Sequence, residues 1–220
     1  MYKNKSFIFF YVLLLVFVLA GCSEQSSEEK SQEKDLPKLM FEAQTITLDG
    51  KNYTLDPRLQ LNDKNGIGQA VGLIYDTAVV HEINGIPGEK WLTASFEGEG
   101  LVFREQGKGD FNLSDFAPDR LEIHSLENPD QVTKEKVVTD RKAIDELVKT
   151  ITEKEPVRVD TSELKDIQLL KEITFQSDRY PNIAYHLSYI EKNGRTYLRE
   201  HGLFLMDTLY EVSINWDSLP

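Results

Sequence analysis

A chain of 220 residues, 40% hydrophobic and 28% charged, can bury the core of one ordinary globular domain or two small ones without a metal or disulfide staple. Its single cysteine excludes an intramolecular bridge. With 25 basic against 37 acidic residues and no basic run longer than a dipeptide, composition argues against nucleic acid as a ligand.

The first element in chain order is the run at residues 7–20, fourteen consecutive apolar residues behind Lys3 and Lys5. A membrane-spanning helix needs about 20 apolar residues. The shorter run has the length of a secretory signal's apolar region. It ends in Leu19-Ala20-Gly21-Cys22 and then turns densely polar. Charge, apolar stretch, small residues, cysteine and polar continuation together resemble the lipobox signal of bacterial lipoproteins, in particular membrane lipoproteins of the Gram-positive type. That resemblance covers residues 1–22 only. It implies removal of residues 1–21 as a signal peptide and lipidation of Cys22 as a diacylglyceryl thioether, with or without an N-acyl group such as palmitate.

Two acyl chains anchor a protein stably where one does not, at about 0.8 kcal/mol per buried methylene. The resemblance therefore places the mature protein at the cell membrane, anchored on its extracytoplasmic face without spanning it. Loss of Lys3 and Lys5 with the signal takes the net charge from −12 to −14. Acyl chains, and not a basic patch, must then hold the protein at the bilayer.

Residues 22–39 read as the lipidated cysteine and a disordered polar tether. Residues 23–35 hold thirteen residues and no apolar one, too little apolar surface to offset the entropy of ordering. As a random coil this stretch holds the body roughly 20 Å from the bilayer.

Residues 40–220 are expected to form a single β-rich α+β domain, a mainly antiparallel sheet with one clear amphipathic helix. Strands are predicted at AQTITLD (43–49), GQAVGLIYD (68–76), AVVHEIN (78–84), KWLTASFE (90–97), GLVFREQ (100–106) and RLEIHSL (120–126). Asp49-Gly50 and the EGEG stretch at 97–100 supply hairpin turns. Alternation puts Leu92, Ala94 and Phe96 on one face of their strand and Trp91, Thr93 and Ser95 on the other, with one face in the core. In the partner strand, Arg104 is placed to pair with an acidic neighbour.

A helix is predicted over 140–153, where Ile144, Leu147, Val148 and Ile151 recur at helical spacing behind Asp140 as N-cap. A strand precedes it at EKVV, and return strands follow at PVRVD, LLKEITFQS, NIAYHLSYIEK, RTYLREHG and TLYEVSI. Asn193-Gly194 joins two of these as the strongest hairpin signal in the chain. A break at Asn128-Pro129-Asp130 would instead divide a β half from an αβ half.

Candidate chemistry is sparse. HEING at His81 lacks the second ligand of a zinc-protease helix and sits in a strand-like context. His81, His124, His186 and His201 are scattered, so that only folding could gather them into a metal site. SELK at Ser162–Lys165 shares a spacing with penicillin-interactive serine enzymes, but the same spacing recurs twice in the tether and no K-T-G partner exists. Glycines 66, 68 and 72 fit no nucleotide fingerprint, and NDKNG lacks the later acid of a calcium loop.

Glu97, Glu99, Glu105 and Asp110 could offer paired carboxylates for glycoside cleavage; a solvated hairpin tip is the simpler reading. Tyr180, Tyr185, Tyr189 and Tyr197 are a candidate aromatic platform. Tyr185 and Tyr189 share a strand face and are the speculative ligand-binding pair, with core packing as the alternative. No cofactor, metal or catalytic residue is indicated, and an acylated Cys22 cannot also be a nucleophile.

These features point to a non-enzymatic lipoprotein that contacts an envelope protein or wall component at the membrane. A small-ligand, glycan or peptide-binding lipoprotein is the second reading, and an envelope hydrolase the third.

Overall fold

The computed structural model describes residues 36–96, 99–109, 111–128, 131–164, 167–202 and 206–220. Cys22, the signal segment and the tether to residue 35 lie outside the described residues.

Residues 38–220 form one compact, strand-rich unit. The elements are β1 (Met40–Glu42), β2 (Thr45–Leu48), β3 (Lys51–Leu61), β4 (Ile67–Ile74), β5 (Ala78–Ile83), β6 (Trp91–Phe96), β7 (Glu99–Glu105), α1 (Leu113–Phe116), β8 (Arg120–Asn128), β9 (Gln131–Val138), α2 (Arg141–Thr152), β10 (Val157–Asp160), β11 (Gln168–Gln176), β12 (Ile183–Lys192), β13 (Arg195–Glu200) and β14 (Met206–Glu211). The strands pair antiparallel throughout, the α+β, β-rich architecture expected.

The first seven strands follow the order β1-β2-β3-β7-β6-β5-β4. A parallel bridge from Lys38 to Leu73, with the Leu39 amide donating to the Leu73 carbonyl at 2.8 Å, joins the start of β1 to β4 and closes the seven into a ring. Closure removes two sheet edges that would otherwise be open to pairing. Inside the ring lie Ile46, Leu48, Tyr53, Ile74, Val80, Leu92, Ala94 and Phe103.

The remaining strands extend the sheet from β3 through β12, with β13, β14 and β10 on one side and β11, β8 and β9 on the other. One face of this wing is apolar. It buries Leu121, Ile123, Ile173, Phe175, Tyr185, Leu187, Tyr189 and Leu198 against Ile144, Leu147 and Ile151 of α2. The helix begins where predicted, because the Asp140 side chain accepts from the Ala143 amide at 2.8 Å. Asn128 pairs with Gln131 across β8 and β9; Pro129 and Asp130 of the alternative break lie outside the described residues.

Two expectations need correction. The strand at 91–96 was expected to bury one face, yet Trp91, Leu92, Thr93 and Ala94 are all buried. Leu92 and Ala94 fill the ring while Trp91 packs outside it in the second core, so β6 separates two apolar interiors. Strand β3, at 11 residues the longest, is not among the strands predicted. Pro57 interrupts its pattern and reads as a breaker. In the fold Pro57 sits in a bulge, since β3 uses five steps from Leu55 to Gln60 while β7 uses two, from Phe103 to Leu101.

The predicted turns at Asp49-Gly50 and Asn193-Gly194 have positive φ at both residues (53° and 75°, 54° and 73°), the mirror-image turn that matches strand twist.

Candidate functional site

The site arises from competition for one edge of β12. Its N-terminal end, Ile183 to Tyr185, pairs with Leu59 to Leu61 of β3, and its C-terminal end, from Ser188, pairs with β13. The two strands sharing this edge splay apart. A cleft of about 650 Å³ opens between them, lined from β3, the end of β7 and described residues after it, β10, the end of β13 with residues 201 and 202, and the start of β14. A volume of this order suits a small ligand or a short segment of one.

The β3 bulge aims charge into the cleft. Among the described residues, 56–58 have no strand partner on either edge, so their side chains are set by other contacts. Asp56 is 6% exposed. Arg58 donates to it through Nε and Nη2, both at 2.8 Å, a bidentate charge-assisted pair. Arg104 adds an ion pair to Asp56 at 3.5 Å, the acidic partner expected for it, although from β3. The Arg104 guanidinium lies over the rings of Phe111 at 4.4 Å and Trp91 at 5.1 Å.

Behind this pair, Glu200 accepts from the hydroxyls of Tyr210, at 3.1 Å, and Tyr185, and lies 3.7 Å from Arg58 Nη1. Burial works against the charge of Arg58, but the hydrogen bonds and charge of Asp56 outweigh it, so the guanidinium titrates above its ordinary range. Burial and the Glu200 charge push Tyr185 and Tyr210 upward as well, leaving both phenols protonated as donors. Glu105, also on the cleft wall, is taken up by Lys51 at 3.0 Å. Arg158 is exposed at the cleft, with no side-chain partner among the described residues.

The tyrosines take different places. The rings of Tyr185 and Tyr189 are buried in the wing core, the latter edge-on to Trp216 at 5.2 Å, and only the Tyr185 hydroxyl reaches the cleft wall through Glu200. Tyr180 is stacked between Trp91 and Phe116, and Tyr197 packs at a third small cluster with Ile190 and Leu209. Glu97 and Asp110 lie outside the described residues, as does Lys165 of the SELK stretch. His81 is hydrogen-bonded through Nδ1 to the Gly68 carbonyl at 3.2 Å within a strand.

Folding brings His124, His186 and His201 toward one another on the outer, polar face of the wing. His186 faces Thr174 at 3.3 Å, His124 lies 3.6 Å from Glu122, and His201 Nε2 lies 3.3 Å from Ser188 Oγ. Burial, with His124 and His201 adding, pushes the His186 imidazole down to about 4. No group of three candidate ligands close enough to hold a metal occurs among the described residues. Ser188 and His201 are not arranged as a nucleophile and base held by an acid. Glu172 contacts the serine, at 3.2 Å, and not the imidazole, and Ser188 is 2% exposed.

Sequence reasoning passed over Asp56, Arg58, Arg158 and Glu200. The available signal was the proline inside LDPRL, because a proline flanked by charges within an alternating run marks a bulge, and bulges re-aim side chains.

Comparisons with protein families, with curated proteins and with solved structures returned no match. Among the described residues, no helix is long and apolar enough to cross a membrane.

Proposed function

We propose that this chain is a lipid-anchored extracytoplasmic binding protein, tethered through acylated Cys22, whose folded body engages its ligand in the cleft between β3 and β13. The observation that carries the binding reading is that Arg158 lines the cleft without a side-chain partner among the described residues, on a wall that also carries the loosely paired Arg104, in a chain of net charge −12. An arginine without a described side-chain partner on the wall of a cleft, in a protein of net negative charge, is a cation that an anionic ligand would engage. The anchor reading is supported by the order of charge, apolar run, small residues and cysteine in residues 1–22. Reading the body as a binder favours the ligand-binding form of the lipoprotein over one acting only through surface contacts. It also favours binding over hydrolysis, because the cleft's carboxylates are committed to arginine, lysine and tyrosine partners.

Two measurements test this. Cys22→Ala should move the protein out of the membrane fraction; retention there would refute the anchor. A photoreactive residue at Thr208, on the cleft wall, should give a discrete adduct in intact cells, while one at Lys142, exposed on α2, should not. Equal labelling at both positions, or none at Thr208, would refute the cleft as the binding site.

A further inference from the structure

We propose that the cleft recognises a single carboxylate, gripped by Arg158 and the solvent-facing edge of Arg104, on a ligand whose apolar portion rests on Leu55 and Met206. This rests on the cleft being the binding site and names the chemistry of what it takes.

The first argument is donor accounting. Every carboxylate on the cleft wall is engaged: Asp56 by Arg58, Glu200 by two phenols, Glu105 by Lys51. The arginines are not used up in the same way. A guanidinium carries five N–H donors. Arg104 spends one on a long contact at 3.5 Å, and its Nε is buried with no hydrogen-bond partner among the described residues. Arg158 spends none on a described side chain. Spare donors on two guanidinium groups in one cleft call for an acceptor that carries charge.

The second argument is charge. Arg58, Arg104 and Arg158, with Lys51 behind Glu105, exceed Asp56, Glu105 and Glu200 by one positive charge. A carboxylate neutralises that excess. A phosphate monoester, with about −1.5 to −2 charge, would overfill it and set negative charge beside Asp56 and Glu200. The third argument is shape: a planar carboxylate matches the planar guanidinium fork, and Arg104 lies against the rings of Phe111 and Trp91, 4.4 and 5.1 Å from their centroids, so that its freedom is restricted before ligand arrives.

The test is calorimetric titration of the full acylated chain in detergent with N-acetylphenylalanine, which carries one carboxylate on an aromatic body. Its methyl ester and inorganic phosphate are the comparison ligands. The acid should bind saturably, with the ester and phosphate at least tenfold weaker. Arg158→Gln should weaken the acid at least tenfold while leaving the melting temperature unchanged, since the residue is exposed. Ester binding as tight as the acid would overturn the carboxylate assignment and leave the cleft a binding site for apolar bodies. Tighter phosphate binding, or acid binding indifferent to Arg158→Gln, would overturn it too. Absence of saturable acid binding overturns it, and the Thr208 adduct then decides separately whether the cleft binds anything else.

Discussion

Asp56→Ala probes the bidentate ion pair on the cleft wall. The native carboxylate is 6% exposed, accepts two 2.8 Å bonds from Arg58 and lies 3.5 Å from Arg104. The variant leaves two mostly buried guanidinium groups facing each other across a void, with Glu200 at 3.7 Å from Arg58 as the nearest acid. Removing one partner of a buried pair costs about 3–5 kcal/mol, because the surviving charge loses its compensation. That is a large part of the roughly 5–15 kcal/mol that holds a domain together. For a body of this size it lowers the melting temperature by roughly 6–20 °C. Urea unfolding read by tryptophan fluorescence measures it, and Asp56→Asn should lose less because an acceptor and the side-chain shape remain. Acetate should restore part of the loss in Asp56→Ala by filling the emptied position. A loss below about 1 kcal/mol would refute the reasoning, since it would mean that solvent screens the pair as it does a surface salt bridge.

Four further outcomes follow from the same structure. Ile144→Ala, at a fully buried position on the inner face of α2, should cost about 2–5 kcal/mol in urea unfolding. Asp140→Ala removes the cap bond to Ala143 and should cost about 1 kcal/mol, read as a shift in thermal midpoint. Gly194→Ala forces a side chain onto φ +73° and should cost about 1–2 kcal/mol by the same measurement. His186 stays neutral in the fold down to about pH 4 while the unfolded chain takes up its proton near 6.5, so unfolding binds a proton in that interval and stability falls as pH drops from 6.5 to 4. His201, lowered by burial and by Arg199, acts in the same sense. Glu172, raised by burial, acts in the opposite one, its contribution growing toward acid. His186→Gln should flatten the urea midpoint between pH 7 and 4; an unchanged slope would exclude His186 as its source.

Local chemistry was legible along the chain. Asn193-Gly194 and Asp49-Gly50 announce their turns because few residues adopt positive φ cheaply, and Asp140 with the spacing of Ile144, Leu147 and Ile151 announces α2 because cap and amphipathic face are both short-range. The alternation of most strands, and with it the β-rich α+β class, is likewise a property of neighbours in sequence. The resemblance to a lipobox at residues 19–22, on which the proposed anchor rests, is also carried by neighbours in sequence. Tertiary structure decided the rest. Alternation cannot say that β6 has apolar interiors on both faces, since that depends on a ring closed by Lys38 and Leu73, residues remote in sequence. Nor can it say that β3 and β13 divide one edge of β12. That division sets Asp56, Arg58, Arg104, Arg158 and Glu200 around a common cleft, although they come from four strands. Convergence of this kind depends on long-range register, and the one local trace of it was a proline where β3 bends away from its partner.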